Sequence, residues 1–154
     1  MRKLRKYEIS DFRNFRISYI IVMYLLIDPS ENNKIQLALF NEKQIEHQYY
    51  SGRNREILSC INKLLNSSSP LNKGGAGGIL TGIMVVTGAG SFTSTRVACV
   101  IANTFAYVKQ ISLLAIKKDE VEKVQKLIPK LLKHKKGHYL SATYSGEPNI
   151  GKSK

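Results

Sequence analysis

The residues best suited to chemistry form the segment from Gly88 to Arg96, whose sequence is GAGSFTSTR. An apolar run that predicts a buried strand precedes this segment, and an apolar run that predicts a helix follows it. A turn from a strand into a helix presents backbone N–H groups that attract anions. One interpretation is a tight, well-capped turn without a ligand. The other is an anion or nucleotide site formed by Gly88, Gly90, Ser91, Thr93 and Arg96.

A second glycine-containing segment, from Gly146 to Ser153 (GEPNIGKS), matches the G-x-x-x-x-G-K-[ST] pattern of phosphate-binding loops. Such a loop binds phosphate only where it joins a strand to a helix whose N-terminus faces the ligand. Lys154 alone follows the segment in this sequence. We therefore predict no nucleotide binding there. We expect the tail either to dock on a partner or to make no contact.

Two further sets of residues are candidates for ligand chemistry, and neither predicts a metal site. Asp28 ends a predicted strand, where an aspartate commonly caps the following turn. His134 and His138 are spaced as neighbours on a helical face. Because Gly137 lies between them among lysines, a helix through both is not expected. We predict no metal bound by the chain.

The charge of the sequence is concentrated at its two ends. The chain has 154 residues and a formal net charge of +13. Residues 1–16 carry six basic and two acidic side chains, and residues 117–154 carry ten and four. A basic chain attracts polyanions such as nucleic acids. A lysine-rich surface that only aids solubility is the alternative.

Size and composition indicate one globular domain in a reducing compartment. Cys60 and Cys99 lie in apolar helical patterns and are predicted to be reduced and buried, as in a cytoplasmic protein. The apolar run over residues 17–27 is shorter than the ~20 residues of a membrane-spanning helix. No small-residue cleavage site follows it, so neither a membrane anchor nor export is predicted.

Five strands and three helices are predicted to position these residues. Alternating or fully apolar runs predict strands over residues 24–27, 34–40, 43–50, 82–86 and 111–116. Apolar stripes predict helices over residues 54–66, 93–108 and from 119 onward. Residues 67–78 have the composition of a flexible linker, and residues 138–144 predict a last strand or an extended tail.

The helix boundaries follow from particular residues. Thr93 or Ser94 is the predicted N-cap of the second helix, and Asp119 that of the third, which Pro129 should kink or split. The fold class is therefore α/β. An antiparallel meander of three strands followed by a βαβ unit forms a mixed five-stranded sheet with flanking helices.

The segment from Gly88 to Arg96 resembles the G-P-G-S-F-T-G-x-R signature of the TsaB family, although Ala89 replaces its proline and Ser94 its second glycine. Residues 24–30 (YLLIDPS) resemble the family's opening strand and its I-D-T-S motif, with Pro29 in place of threonine. Residues 111–116 match the strand after the long helix, so the resemblance covers residues 23–116. It implies one lobe of the actin, Hsp70 and sugar-kinase fold, which is RNase H-like.

The resemblance also implies a domain organisation. Residues 1–22 would be a basic N-terminal extension or a misassigned start, residues 23–136 a TsaB-like N-terminal lobe, and residues 137–154 a C-terminal tail. The second lobe that is usual in the family has no counterpart in this sequence. In the wider fold group, an aspartate at the position of Asp28 often serves metal–phosphate chemistry. Because no second carboxylate matches it here, we favour the turn-capping role.

As a TsaB-like chain, the protein would be a non-catalytic subunit without a cofactor of its own. It would pair with a TsaD-like catalytic subunit, with a TsaE-like ATPase in the complex, to make threonylcarbamoyladenosine in tRNA. ATP and a divalent metal would be bound by those partners, and tRNA through the complex. The interface, or that of a homodimer instead, would use Ile57, Leu58, Ile61, Leu65, Ala98, Ile101, Ala102 and Phe105. The alternatives are a free-standing basic RNA-binding module and a small nucleotide-binding domain that uses the turn from Gly88 to Arg96.

Overall fold

A computed structural model describes residues 21–67 and 78–143 of the chain. Five strands form one sheet in the order β3-β2-β1-β4-β5. The strands are β1 (Val22–Asp28), β2 (Lys34–Phe40), β3 (Ile45–Ser51), β4 (Ile79–Val86) and β5 (Ser112–Ile116). The pairs β1–β2 and β2–β3 are antiparallel, whereas β1–β4 and β4–β5 are parallel. The predicted mixed sheet, with a meander followed by a βαβ unit, is confirmed.

The link between β2 and β3 explains why β3 begins later than predicted. The Asn41 side-chain oxygen accepts hydrogen bonds from the backbone N–H groups of Lys43 and Gln44, each at 2.8 Å. The Asn41 N–H donates to the Gln44 carbonyl at 2.9 Å. This turn holds Lys43 and Gln44 outside the ladder, so β3 starts at Ile45 rather than at residue 43.

The helices cover the two faces of the sheet. A 3₁₀ turn (Asn54–Glu56) leads into α1 (Ile57–Asn66), which packs beside α2 (Phe92–Lys109) on one face. A long 3₁₀ helix (Lys118–Leu127) and α3 (Ile128–Lys133) cover the other face. Successive strand residues point to opposite faces, so Leu25 and Leu26 belong to different cores.

The last helical segment differs from the predicted α-helix. Residues 118–127 form a 3₁₀ helix, in which residues three apart lie one above the other. The predicted apolar stripe contains that spacing at Val121 and Val124, which are both buried. The N-cap is Lys117 rather than Asp119, and the Glu120 carboxylate accepts a hydrogen bond from the Lys117 N–H at 2.8 Å. The predicted split at Pro129 is confirmed, because α3 begins there with proline in its first turn.

Residues 138–143 form no strand and instead lie as an extended segment beside α2. The Asn103 side chain binds both backbone groups of Leu140: its Nδ2 donates to the carbonyl at 3.0 Å and its Oδ1 accepts from the N–H at 2.7 Å. Leu140 and Ala142 pack against the core under α2. Of the two predictions for residues 138–144, the extended tail is therefore the correct one for residues 138–143. The Asn103 amide makes the hydrogen bonds to Leu140 that a neighbouring strand would otherwise make. Tyr144 and most of the predicted linker, residues 68–77, lie outside the described residues.

Candidate functional site

The glycine-rich turn joins the interior strand β4 to α2. Gly88 and Gly90 have φ values of 73° and 86°, in the left-handed region that favours glycine. Ser91 is the N-cap of α2, because its hydroxyl accepts a hydrogen bond from the Ser94 N–H at 3.1 Å. The predicted caps, Thr93 and Ser94, are therefore corrected: the helix starts two residues earlier, at Phe92.

Ser94 ties the turn to the start of the helix pair. Its hydroxyl is buried, lies 2.6 Å from the Ser91 hydroxyl and donates to the Asn54 side-chain oxygen at 2.6 Å. The Thr95 hydroxyl also donates a hydrogen bond to the Ser91 carbonyl at 3.1 Å. These bonds fix the beginning of α2 against the 3₁₀ turn before α1. A serine at this place thus has a structural role that a glycine lacks.

Two of the five residues of the predicted anion site, Gly88 and Ser91, line different pockets. Gly88 lies in an open cleft of about 870 Å³ at the carboxyl ends of β4 and β5, beside Lys117 and Lys118. Ser91 lies in a different, smaller pocket of about 300 Å³ together with Asn54 and Ser94. Thr93 and Arg96 are exposed on the first turns of α2.

Two polar groups of the turn form internal hydrogen bonds. The Gly88 N–H donates to the Thr143 carbonyl at 2.7 Å, and the Ser91 hydroxyl caps α2. A Cβ at Gly90 would lie 2.7 Å from the Ser30 Cα, so this glycine packs directly on the turn after β1. These contacts describe a well-capped turn that positions α2.

Asp28 occupies the carboxyl end of β1 and is 1 % exposed. Its Oδ1 accepts from the Ser30 N–H at 3.0 Å, which confirms the turn-capping role. Its Oδ2 forms an ion pair with Lys118, 90 residues further along the chain. The Lys118 Nζ also lies 3.8 Å from the Glu31 Oε1. Asp28 therefore joins the start of the long 3₁₀ helix to the central strand.

Substitutions of Asp28 separate its two roles. Asp28→Asn keeps an oxygen for the Ser30 N–H and loses the charge that pairs with Lys118. Because Lys118 is 42 % exposed, solvent screens the pair, and we expect a loss of only about 1 kcal/mol in the free energy of unfolding. Asp28→Ala removes both interactions and should cost about 2–3 kcal/mol. Urea unfolding measures both values; equal losses would contradict the capping role.

A partly apolar groove lies between α1 and α2. It has a volume of about 710 Å³ and is lined in part by Leu58, Leu65 and Phe105, with Arg55 and Lys109 at its edges. Leu58 is 53 % exposed. The polar residues Ser59 and Asn62 complete the lining. A shallow, partly apolar groove with basic edges is suited to contact with another protein.

The predicted interface requires a correction. Four of its residues have no exposed surface because their side chains pack into the core beneath the two helices: Ile57, Ile61, Ala98 and Ala102. They cannot contact a partner in this fold. The other four remain on or near the surface, and we call them the docking face: Leu58, Leu65, Ile101 and Phe105. Val100 and Val108 on α2 are also exposed.

Other candidate ligands are placed as follows. His134 ends α3 as its C-cap, so His134 and His138 share no helical face. Cys60 and Cys99 are buried free thiols, and burial raises the pKa of each above its ordinary value. In the described ranges, no group of three or more His, Cys, Asp or Glu side chains could hold a metal ion. Nor does any helix there have the length and apolar character needed to cross a membrane. The segment from Gly146 to Ser153 lies outside these ranges.

Sequence reasoning missed three residues that build this region: Asn54, Asn103 and Lys118. Each contacts a residue at least 37 positions away in the chain. Asn54 had a local signal, since a polar residue before an apolar helical stripe often marks a helix start. The other two had none, because a lone amide on a helix and a lysine among lysines are ordinary surface residues.

The mixed five-stranded sheet with helices on both faces defines an α/β fold, which confirms the predicted fold class. Two similar solved structures are from Pseudomonas aeruginosa. One is a protein described as similar to peptidase YEAZ, with a TM-score of 0.50 and 22 % identity, and the other is YeaZ, with a TM-score of 0.49 and 23 % identity. Each match covers 62 % of this chain and 43 % of the other, so the chain spans less than half the length of these structures.

No family model matches the sequence. No curated protein matches it either.

Proposed function

We propose that the chain is a non-catalytic partner subunit of a TsaD-like enzyme that makes threonylcarbamoyladenosine in tRNA. The observation that carries the proposal is the agreement of two signals at one place. The segment from Gly88 to Arg96 resembles the TsaB signature, and it forms the strand-to-helix turn of a sheet whose fold is shared with a protein described as similar to YEAZ.

The commitment of the turn's polar groups supports a scaffolding role. In the described residues, the turn is tied internally by Ser91, Ser94 and Thr95, and the cleft beside Gly88 is open. A catalytic site needs groups that remain available to the reacting atoms. The turn instead fixes the angle at which α2 leaves the sheet, and α2 carries half of the docking face. ATP, a divalent metal and the catalytic groups would then be supplied by the TsaD-like and TsaE-like subunits.

The docking face supports the choice of a protein partner. Its residues lie on two adjacent helices that share one face of the sheet, and three of them, Leu58, Leu65 and Phe105, line the same groove. Covering such a surface excludes water from the apolar side chains, which is the main favourable term in association. Arg55 and Lys109 at its edges favour a partner with acidic residues around its own apolar patch.

A charge placed in the docking face tests this proposal. We expect Leu58→Glu to weaken co-purification with the TsaD-like subunit of the same organism at least tenfold, because the glutamate would have to lose its water at the interface. The matched control is Leu132→Glu. Leu132 on α3 is 50 % exposed, against 53 % for Leu58, but lies on the opposite face of the sheet.

Two outcomes would contradict the proposal. One is equal loss of co-purification in both variants, and the other is a wild-type chain that does not associate with the TsaD-like subunit. The homodimer alternative is tested by sedimentation of the isolated chain, which measures its oligomeric state. A dimer that Leu58→Glu dissociates, with no heteromeric complex formed, would assign the docking face to self-association instead.

A further inference from the structure

On the long 3₁₀ helix and α3, most acidic and most basic residues lie along different lines parallel to the helix axis, which we call rows. In a 3₁₀ helix, residues three apart lie on the same row. The row containing Val121 and Val124 is buried against the sheet, and Asp119 and Glu122 occupy a second row. The third row carries lysines, and spacings of three, four and three residues continue it through α3. We call these four residues the lysine stripe: Lys123, Lys126, Lys130 and Lys133.

Acidic residues lie in the same helical segment, but none forms an ion pair with the lysine stripe in the described part of the chain. All four side chains are exposed, and none forms an ion pair with a described residue, whereas Lys34 and Lys118 do. Glu120 shares the row, but its carboxylate is bound to the Lys117 N–H at the start of the helix. The stripe is therefore a line of four hydrated positive charges.

The length of the stripe suits a nucleic-acid backbone. With a rise of about 2.0 Å per residue in the 3₁₀ part and 1.5 Å in α3, the stripe spans roughly 17 Å. Measured along the axis of a DNA duplex, where one strand has a phosphate every ~3.4 Å, that length covers about five phosphates. Lysines act as point charges rather than as bidentate readers of bases, so they favour contact with phosphates whatever the sequence.

We propose that the lysine stripe binds the phosphate backbone of a structured RNA directly. A membrane surface is the less suitable polyanion, because a helix that lies on a bilayer needs an apolar face to insert. Here the apolar row, with Val121, Val124 and Ile128, is already buried against the sheet. The choice of RNA among polyanions rests on the proposed function. The existence of the lysine stripe rests on the structure alone.

The stripe and the docking face lie on opposite faces of the sheet. The docking face belongs to α1 and α2, which cover one core, and the stripe belongs to the segment that covers the other. A protein partner bound to α1 and α2 therefore leaves the stripe accessible. The chain would hold the RNA while its partner modifies it.

Binding of an unmodified tRNA transcript to the full chain tests the inference. Fluorescence anisotropy over a range of salt concentrations gives the association constant and its salt dependence. The test variant replaces the four stripe lysines by glutamine. We expect it to bind about tenfold or more weakly and to lower the slope of log K against log salt by about 3, which is four lost phosphate contacts at 0.7–0.9 each.

The matched control removes the same charge from four other exposed positions: Lys43, Arg53, Lys63 and Arg96, each changed to glutamine. We expect its affinity to stay within about threefold of wild type. Equal losses in the two variants would overturn the inference in favour of diffuse attraction by net charge. No binding by the wild-type chain at low salt would also overturn it. So would stripe-dependent binding to phosphatidylserine vesicles without binding to tRNA.

Co-purification separates this inference from the proposed function. The stripe variant should still co-purify with the TsaD-like subunit, because its substitutions lie away from the docking face. If tRNA binding is independent of the stripe while co-purification persists, only the inference fails. If stripe-dependent tRNA binding occurs without co-purification, only the proposed function fails.

Discussion

Ala102→Glu is expected to unfold the protein. The Ala102 side chain has no exposed surface and packs between α2 and the sheet, among the apolar residues of the larger core. A glutamate there would bury an unpaired charge or force α2 away from the sheet. The cost is comparable to the whole stability of a domain, about 5–15 kcal/mol. We expect loss of the cooperative urea transition followed by circular dichroism.

Val100→Glu is the matched control for this substitution. Val100 lies two residues earlier on the same helix and is 57 % exposed. A glutamate at this position reaches water, so the unfolding midpoint should change by no more than the equivalent of about 0.5 kcal/mol. If Ala102→Glu unfolds at the same urea concentration as Val100→Glu, the orientation of α2 described here is incorrect. An interface role for Ala102 would then be open again.

Gly90→Ala is expected to cost about 3–4 kcal/mol of stability. Two effects add at this position. The φ value of 86° is strained for any residue with a Cβ, which costs about 1–2 kcal/mol. The new Cβ would also lie 2.7 Å from the Ser30 Cα and 2.8 Å from the Ser30 carbonyl oxygen. Because both contacts are with backbone, the turn after β1 would have to move.

Gly88→Ala separates the two effects. Gly88 has a similar φ of 73°, but a Cβ there would meet no heavy atom within 4 Å. We therefore expect only the conformational cost, about 1–2 kcal/mol, from thermal or urea unfolding. The difference between the two losses in free energy of unfolding measures how much the close contact between the turns after β1 and β4 contributes. Equal costs would show that this contact contributes nothing.

Much of the fold follows from local patterns in the sequence. Alternation over Lys34–Phe40 predicts β2 with its observed bounds, and the apolar run before Gly88 predicts an interior strand, as β4 is. Such patterns are reliable because the side chains of a strand alternate whatever its neighbours are. The bounds of α2 and the 3₁₀ form of residues 118–127 were not predictable in the same way. Several serines and threonines near residue 93 can cap a helix, and an apolar spacing of three fits both helix types.

The candidate site shows the same division. Local pattern alone predicted that the segment from Gly88 to Arg96 turns from a strand into a helix. Only the tertiary structure decided that Ala98 and Ala102 face the sheet while Leu58 faces outward, and that Asp28 pairs with Lys118. The physical reason is that periodicity identifies which residues share a face of an element. Which face is covered, and by which distant side chain, depends on how all the elements pack together.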